Sequence, residues 1–214
     1  MSARTAGRAL ARRTAAAALL LAATAAACGI RPTDVPVDAG PGPVRSTCET
    51  ESDAPLDDSG DAEETEVFLL CGSHVESVER PISLPRPETG EAGPDYRVTV
   101  ARALLSALQA GPDAEETDAG FTSAVPGALQ VAGPGEGDPQ PTLRLSQEPK
   151  ALPAVALVQI ICTFANSERL DGNGRTVLLA GPGASGGGTP EPYACTPAML
   201  SDPEFAHAPP GASA

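Results

Sequence analysis

Tryptophan is absent from this 214-residue chain, which holds only four Phe and two Tyr. A core resting on aromatic rings is thereby excluded, and packing falls to Leu, Ile, Val and Ala. Lysine occurs once, at Lys150, beside thirteen Arg. Positive charge is scarce beyond the N-terminus: residues 28–214 carry 10 basic and 28 acidic side chains, a formal charge of −18. A surface of that sign repels phosphate backbones, which excludes direct nucleic-acid binding, and it offers anionic lipid little attraction. Long apolar runs are missing too. The longest mostly apolar stretch outside the N-terminus, Leu152 to Ala165, has 14 residues and is too short to cross a bilayer.

That stretch is the centre of the chain. Leu157, Ile160, Ile161 and Phe164 recur at helical spacing, while Val155, Val158 and Cys162 cover much of the other face. A helix apolar around so much of its circumference belongs inside a domain. Pro153 suits the first helical turn, where a missing N–H costs nothing.

Residues 1–27 carry Arg4, Arg8, Arg12 and Arg13, then an apolar run from Thr14, then small residues up to Ala27. This is the build of a secretory signal peptide. Cys28 follows directly, and Ala25-Ala26-Ala27-Cys28-Gly29 resembles a bacterial lipoprotein signal, with Ala25 where that pattern usually has an aliphatic residue. The resemblance implies cleavage before Cys28 and a diacylglycerol on its sulfur, which would hold the chain to a membrane without a transmembrane helix. Residues 28–65 read as an acidic, proline-rich, disordered tether. Glu49 to Glu66 holds nine acids and no base, and low hydrophobicity with high charge cannot offset the entropy of ordering. As a flexible chain the tether would reach roughly 35 Å, and about 120 Å fully stretched.

The folded part is expected over residues 66–199, with a frayed tail at 200–214. Val67 to Cys71 and Val75 to Arg80 read as a hairpin, with His74 in its turn. A helix from Asp95 or Tyr96 to Ala110 presents Ala101, Leu104, Leu105 and Leu108 as a stripe and stops at Gly111-Pro112. Pro112 to Thr117 suits a short acidic helical turn. Leu129 to Val131, Thr142 to Ser146 and Thr176 to Ala180 are strands on either side of the buried helix, and Tyr193 to Met199 returns to the sheet or to that helix. The order predicts an α+β domain: one small, mainly antiparallel sheet covered by two helices.

Beyond Cys28 there are four cysteines, which allow three pairings. An even count in an exported chain favours two disulfides. Cys48–Cys71 would pin the leader to the first strand. Cys162–Cys195 would clip the buried helix and is worth about 3–4 kcal/mol in the chain-entropy model. Close Cys-x-x-Cys pairs are missing, so no metal ligand is assigned.

Three motifs suggest chemistry without its context. Gly181-Pro-Gly-Ala-Ser-Gly186 fits G-x-G-x-x-G, but Gly187 to Pro192 continues as loop where a phosphate site needs a helix. Gly183-Ala-Ser-Gly-Gly187 fits the nucleophile-elbow pattern around Ser185, with Asp202 and His207 in hydrolase order. Asp171-Gly-Asn-Gly174 hints at calcium, yet position twelve of that loop is Pro182, and a tight turn is the better reading. None of these calls for a cofactor.

One longer resemblance remains. Ala101 to Pro126 runs as a leucine-rich helix, Gly-Pro, an acidic turn and a segment ending in Pro. Three further stretches accompany it: Cys28 to Thr33, Gln159-Ile-Ile-Cys-Thr163, and Tyr193-Ala-Cys-Thr-Pro197. In their order and spacing these resemble actinobacterial lipoproteins with a GerMN (sporulation and spore germination) domain. The acidic leader, Cys48 and Cys71 are additions to that pattern. The resemblance implies a lipid-anchored, non-catalytic binding or assembly module on the extracellular side of the cell membrane, partnered by a cell-wall component or an envelope protein. The alternative is an envelope hydrolase using Ser185.

Overall fold

The computed structural model describes residue 48 and residues 62–86, 93–170, 176–183 and 188–207. Its first element is a hairpin of β1 (Glu63–Cys71) and β2 (His74–Ile82), turned by Gly72 at φ +61°. The strands pair along their whole length, with Val67 opposite Val78. β1 therefore starts inside the acidic run, ahead of the expected boundary at 66. The ladder to β2 and the ion pair of Glu63 with Arg169 outweigh the local charge. β2 runs through Pro81, which an edge strand tolerates because one side of it makes no ladder bonds.

Helix α1 (Pro94–Ala110) opens on Pro94 and ends at Gly111, φ +76°. Its buried face holds Val98, Val100, Ala101, Leu104, Leu105 and Leu108. Helix α2 (Ala114–Ala119) starts from a capping box in which Asp113 and Glu116 satisfy each other's backbone N–H, and it stops at left-handed Gly120. β3 (Phe121–Thr122) then joins the outer side of β1.

The class is α+β, and the strands divide between two sheets instead of forming one. β2-β1-β3 is wholly antiparallel. The second sheet runs β4 (Val131–Ala132), β5 (Thr142–Leu145), β6 (Thr176–Ala180), β7 (Glu191–Ala194). Within it β5 and β6 are parallel. A parallel pair needs a crossover, and the crossover is the buried helix α3 (Ala154–Asn166), with Pro153 as its N-cap residue. Every α3 side chain from Ala156 to Ala165 is buried. The helix packs on both β1 and β6 and so touches each of the two sheets.

Two polar residues of α3 lie in that core. Alternate residues of an antiparallel strand turn their N–H and C=O to opposite edges. Phe68 faces away from β2, beyond the reach of two-residue β3. There α3 takes the place of a strand: Thr163 Oγ1 accepts from Phe68 N–H at 3.1 Å, and Gln159 Nε2 donates to Phe68 C=O at 3.0 Å. Gln159 Oε1 also accepts from Ala124 N–H at 2.8 Å. A third polar link, the Arg80–Glu116 ion pair, ties β2 to α2.

Both expected disulfides form. Cys162 joins Cys195 at a Cα separation of 4.8 Å, and Cys48 joins Cys71 at 6.1 Å. The expected frayed tail is corrected over its first half. After α4 (Pro197–Ser201), residues Pro203–His207 form a 3₁₀ turn that packs on α3 and buries Pro203 and Ala206. Apolar burial onto the central helix holds this segment despite its Pro and Ala content.

Candidate functional site

The carboxyl ends of parallel strands are where α/β units usually place ligand-binding loops. Here the loop after β5 carries Glu148 and Lys150, and the loop after β6 begins with Gly181. Arg144, inside β5, donates from Nε and Nη2 to both carboxylate oxygens of Asp138 at 2.6 and 2.8 Å, and from Nη1 to Gly181 C=O at 2.8 Å. Asp138 Oδ2 also accepts from Gly135 N–H at 2.7 Å. The Arg144 hydrogen bonds first, and then the one from Gly135, hold the Asp138 carboxyl below its usual range against the opposing effect of burial.

The glycine-rich loop is met by a carboxylate of the chain itself. Gly188 N–H donates to Glu148 Oε1 at 3.1 Å. A Cβ on Gly181 would stand 2.1 Å from that same oxygen, so Glu148 lies directly against the loop backbone. This is the type of contact the G-x-G-x-x-G pattern would offer a phosphate, with Glu148 as the anion. Lys150 pairs with Glu191 at 2.6 Å, and its ammonium holds the Glu191 carboxyl below the usual range. Tyr193 is pushed up to about 12, by burial first and then by Glu191 and Glu148. It keeps its proton at neutral pH and donates it to Glu191 at 3.3 Å.

Ser185 and residues 171–174 lie outside the described residues, as does Cys28. Asp202 Oδ1 accepts from Glu204 N–H at 3.1 Å and so caps the 3₁₀ turn that exposed His207 ends. That work is structural. His74 leads β2 as the residue after the turn, and its Nε2 lies 2.7 Å from Glu76 Oε1.

The chain matches no protein family, no curated protein and no solved structure. The site is therefore read from its own geometry. Among the described residues no helix is long and apolar enough to cross a membrane. An open recess of about 550 Å³ lies beside α1, lined by Asp95, Val98, Thr99, Arg102, Pro134 and Gln140 among others. Sequence reasoning passed over Glu148, Asp138 and Arg144. One signal was available: an acid and an arginine six apart across a Gly- and Pro-rich connector can close on each other around the turn.

Proposed function

We propose that this chain is a lipid-anchored extracytoplasmic protein of GerMN-like type, working as a non-catalytic binding or assembly module at the cell envelope. One observation carries the reading. The four cysteines of the folded body pair off as two disulfides, which leaves Cys28 as the fifth, directly behind an export-type apolar run. Disulfides of this kind persist in oxidising compartments. Acylation is the use that its position gives the remaining cysteine.

The charges at the carboxyl ends of β5 and β6 support the non-catalytic part. Arg144 is engaged by Asp138 and Gly181, Lys150 by Glu191, and the glycine loop by Glu148. A catalytic cluster turns its perturbed groups toward a substrate; here the shifted Asp138, Glu191 and Tyr193 are engaged by partners within the chain. The recess beside α1 is a surface such a module can offer to a cell-wall fragment or an envelope protein.

The test is an intact mass of the wild-type chain from membranes, before and after reduction, beside Cys28→Ser. The expected mature chain starts at Cys28, carries the diacylglycerol and gains four hydrogens on reduction. Cys28→Ser should keep its leader and lose the lipid. An uncut chain with five titratable thiols would end the reading. Labelling by a serine-reactive probe that disappears in Ser185→Ala would replace the binding role with hydrolysis.

A further inference from the structure

The closed end of the β1–β2 hairpin gathers three side chains that the proposed binding role does not use. Cys71 and His74 stand directly opposite each other, so their side chains leave the same face of the ribbon. Glu76, two residues after His74, returns to that face. One donor atom from each of Cys71, His74 and Glu76 lies within 4.8 Å of the others, and His74 Nε2 lies 2.7 Å from Glu76 Oε1. His74 and Glu76 are 43% and 45% exposed, so a dissolved ion reaches them directly. Around the Cys162–Cys195 bond no such donor set gathers among the described residues.

We propose that this hairpin end is a thiol-gated site for a borderline transition metal of the Zn²⁺ type, formed by Cys71, His74 and Glu76 and completed by Cys48. Thiolate, imidazole and carboxylate together form a donor set that suits Zn²⁺. Donors at Zn²⁺ bond lengths stand about 3.3–3.8 Å apart around a tetrahedral ion. Rotations of the exposed His74 and Glu76 side chains close the remaining gap. The Cα atoms of Cys48 and Cys71 are 6.1 Å apart, so both sulfurs reach a common ion once their bond opens.

The gate is the disulfide itself. An external dithiol attacks one sulfur, the Cys48–Cys71 bond breaks, and a second attack releases the reagent as its own disulfide. Two electrons and two protons thereby pass to Cys48 and Cys71. The metal then displaces both protons. Oxidised, the chain offers the ion only His74 and Glu76; reduced, it offers four ligands.

The test uses the full chain carrying Cys28→Ser and Cys48→Ser, which leaves Cys71 as its one free thiol and keeps Cys162–Cys195 oxidised. Titration with Co²⁺ should give a thiolate-to-metal absorption band that Zn²⁺ bleaches at one equivalent. Adding His74→Ala or Glu76→Gln should weaken Zn²⁺ binding about tenfold or more. Cys71→Ser should abolish the band. A folded chain without the band, or an affinity indifferent to His74→Ala, overturns the proposal. If the variant does not fold, the Cys28→Ser chain is reduced with a dithiol, freed of it, and alkylated with and without Zn²⁺. Protection of Cys48 and Cys71 is then expected, and equal alkylation of both overturns the proposal.

Discussion

Both sheets of this protein hold ion pairs, but only the hairpin sheet sets like charges against each other across a ladder. In the crossover sheet, oppositely charged groups meet: Asp138 with Arg144, and Lys150 with Glu191. In the hairpin sheet, Glu66 stands directly opposite Glu79 with Glu64 close by, and an exposed His74–Glu76 pair stands beside a disulfide. Like charges opposed across a ladder weaken it. The crossover sheet is thus built for stability. The hairpin keeps acidic repulsion and a sulfur within reach of titratable groups.

The disulfides offer the largest test of that contrast. Their sequence separations, 23 and 33 residues, differ too little for chain entropy to separate them: either bond is worth about 3–4 kcal/mol by loop closure. A larger gap must come from surroundings. Cys162 is fully buried among the aliphatic side chains of α3, so Cys162→Ala with Cys195→Ala should cost about 4–5 kcal/mol, loop closure plus lost packing. The Cys48→Ala and Cys71→Ala pair should cost about 3 kcal/mol. Urea midpoints of the two double variants check this. Equal losses would mean that both bonds act only through the unfolded chain, and the contrast between the sheets would not extend to sulfur.

Next comes the joint between the sheets. Gln159→Leu leaves Phe68 C=O and Ala124 N–H without their partner, and Thr163→Val leaves Phe68 N–H. A buried polar group stranded in this way costs about 1–3 kcal/mol. Gln159→Leu should therefore lose about 2–4 kcal/mol and Thr163→Val about half that. Hydrogen exchange should show Phe68 N–H losing protection first in Thr163→Val. If β1 stays protected in both variants, α3 is not the partner of that edge.

These residues also show how far the sequence could be read. The elements followed from local rules: Gly72 and Ser73 between apolar runs, the apolar stripe of α1 and its stop at Gly111, the unbroken apolar surface of α3. The cysteine pairing followed from position. What stayed hidden depends on contacts far apart in the chain. Gln159 and Thr163 look like interruptions in an apolar helix until β1, 91 and 95 residues away, supplies the bonds they make. The division into two sheets is hidden for the same reason. β5 and β6 look alike as antiparallel or parallel strands, and only the crossover through α3 decides. At the site, the sequence rules out a phosphate cradle at G-x-G-x-x-G for want of a helix, but does not show that Glu148 lies against Gly181 and Gly188.

The smallest effect is the sharpest on charge, because its sign is fixed in advance. Burial first, then Glu66 and Glu64, raise the Glu79 carboxyl above its ordinary value of 4.5. Between that value and the raised one, the folded chain holds a proton that the unfolded chain has released. Stability therefore falls as pH climbs through the window, and Glu79 is a net burden above it. Glu79→Gln should stabilise the protein near neutral pH by about half a kcal/mol, the scale of one cross-strand charge pair. The gain should vanish below pH 4.5, where the native carboxyl is protonated in both states. Asp138 runs the other way. Its carboxyl is lowered by the Arg144 hydrogen bonds, so its contribution is full above its ordinary value and is lost as pH falls through the lowered one. Asp138→Asn should therefore destabilise at neutral pH and converge on wild type in strong acid. Denaturant midpoints of both variants against pH would trace curves of opposite sign. A destabilising Glu79→Gln at neutral pH would mean that Glu79 has a favourable partner, and the charge contrast between the two sheets would fail.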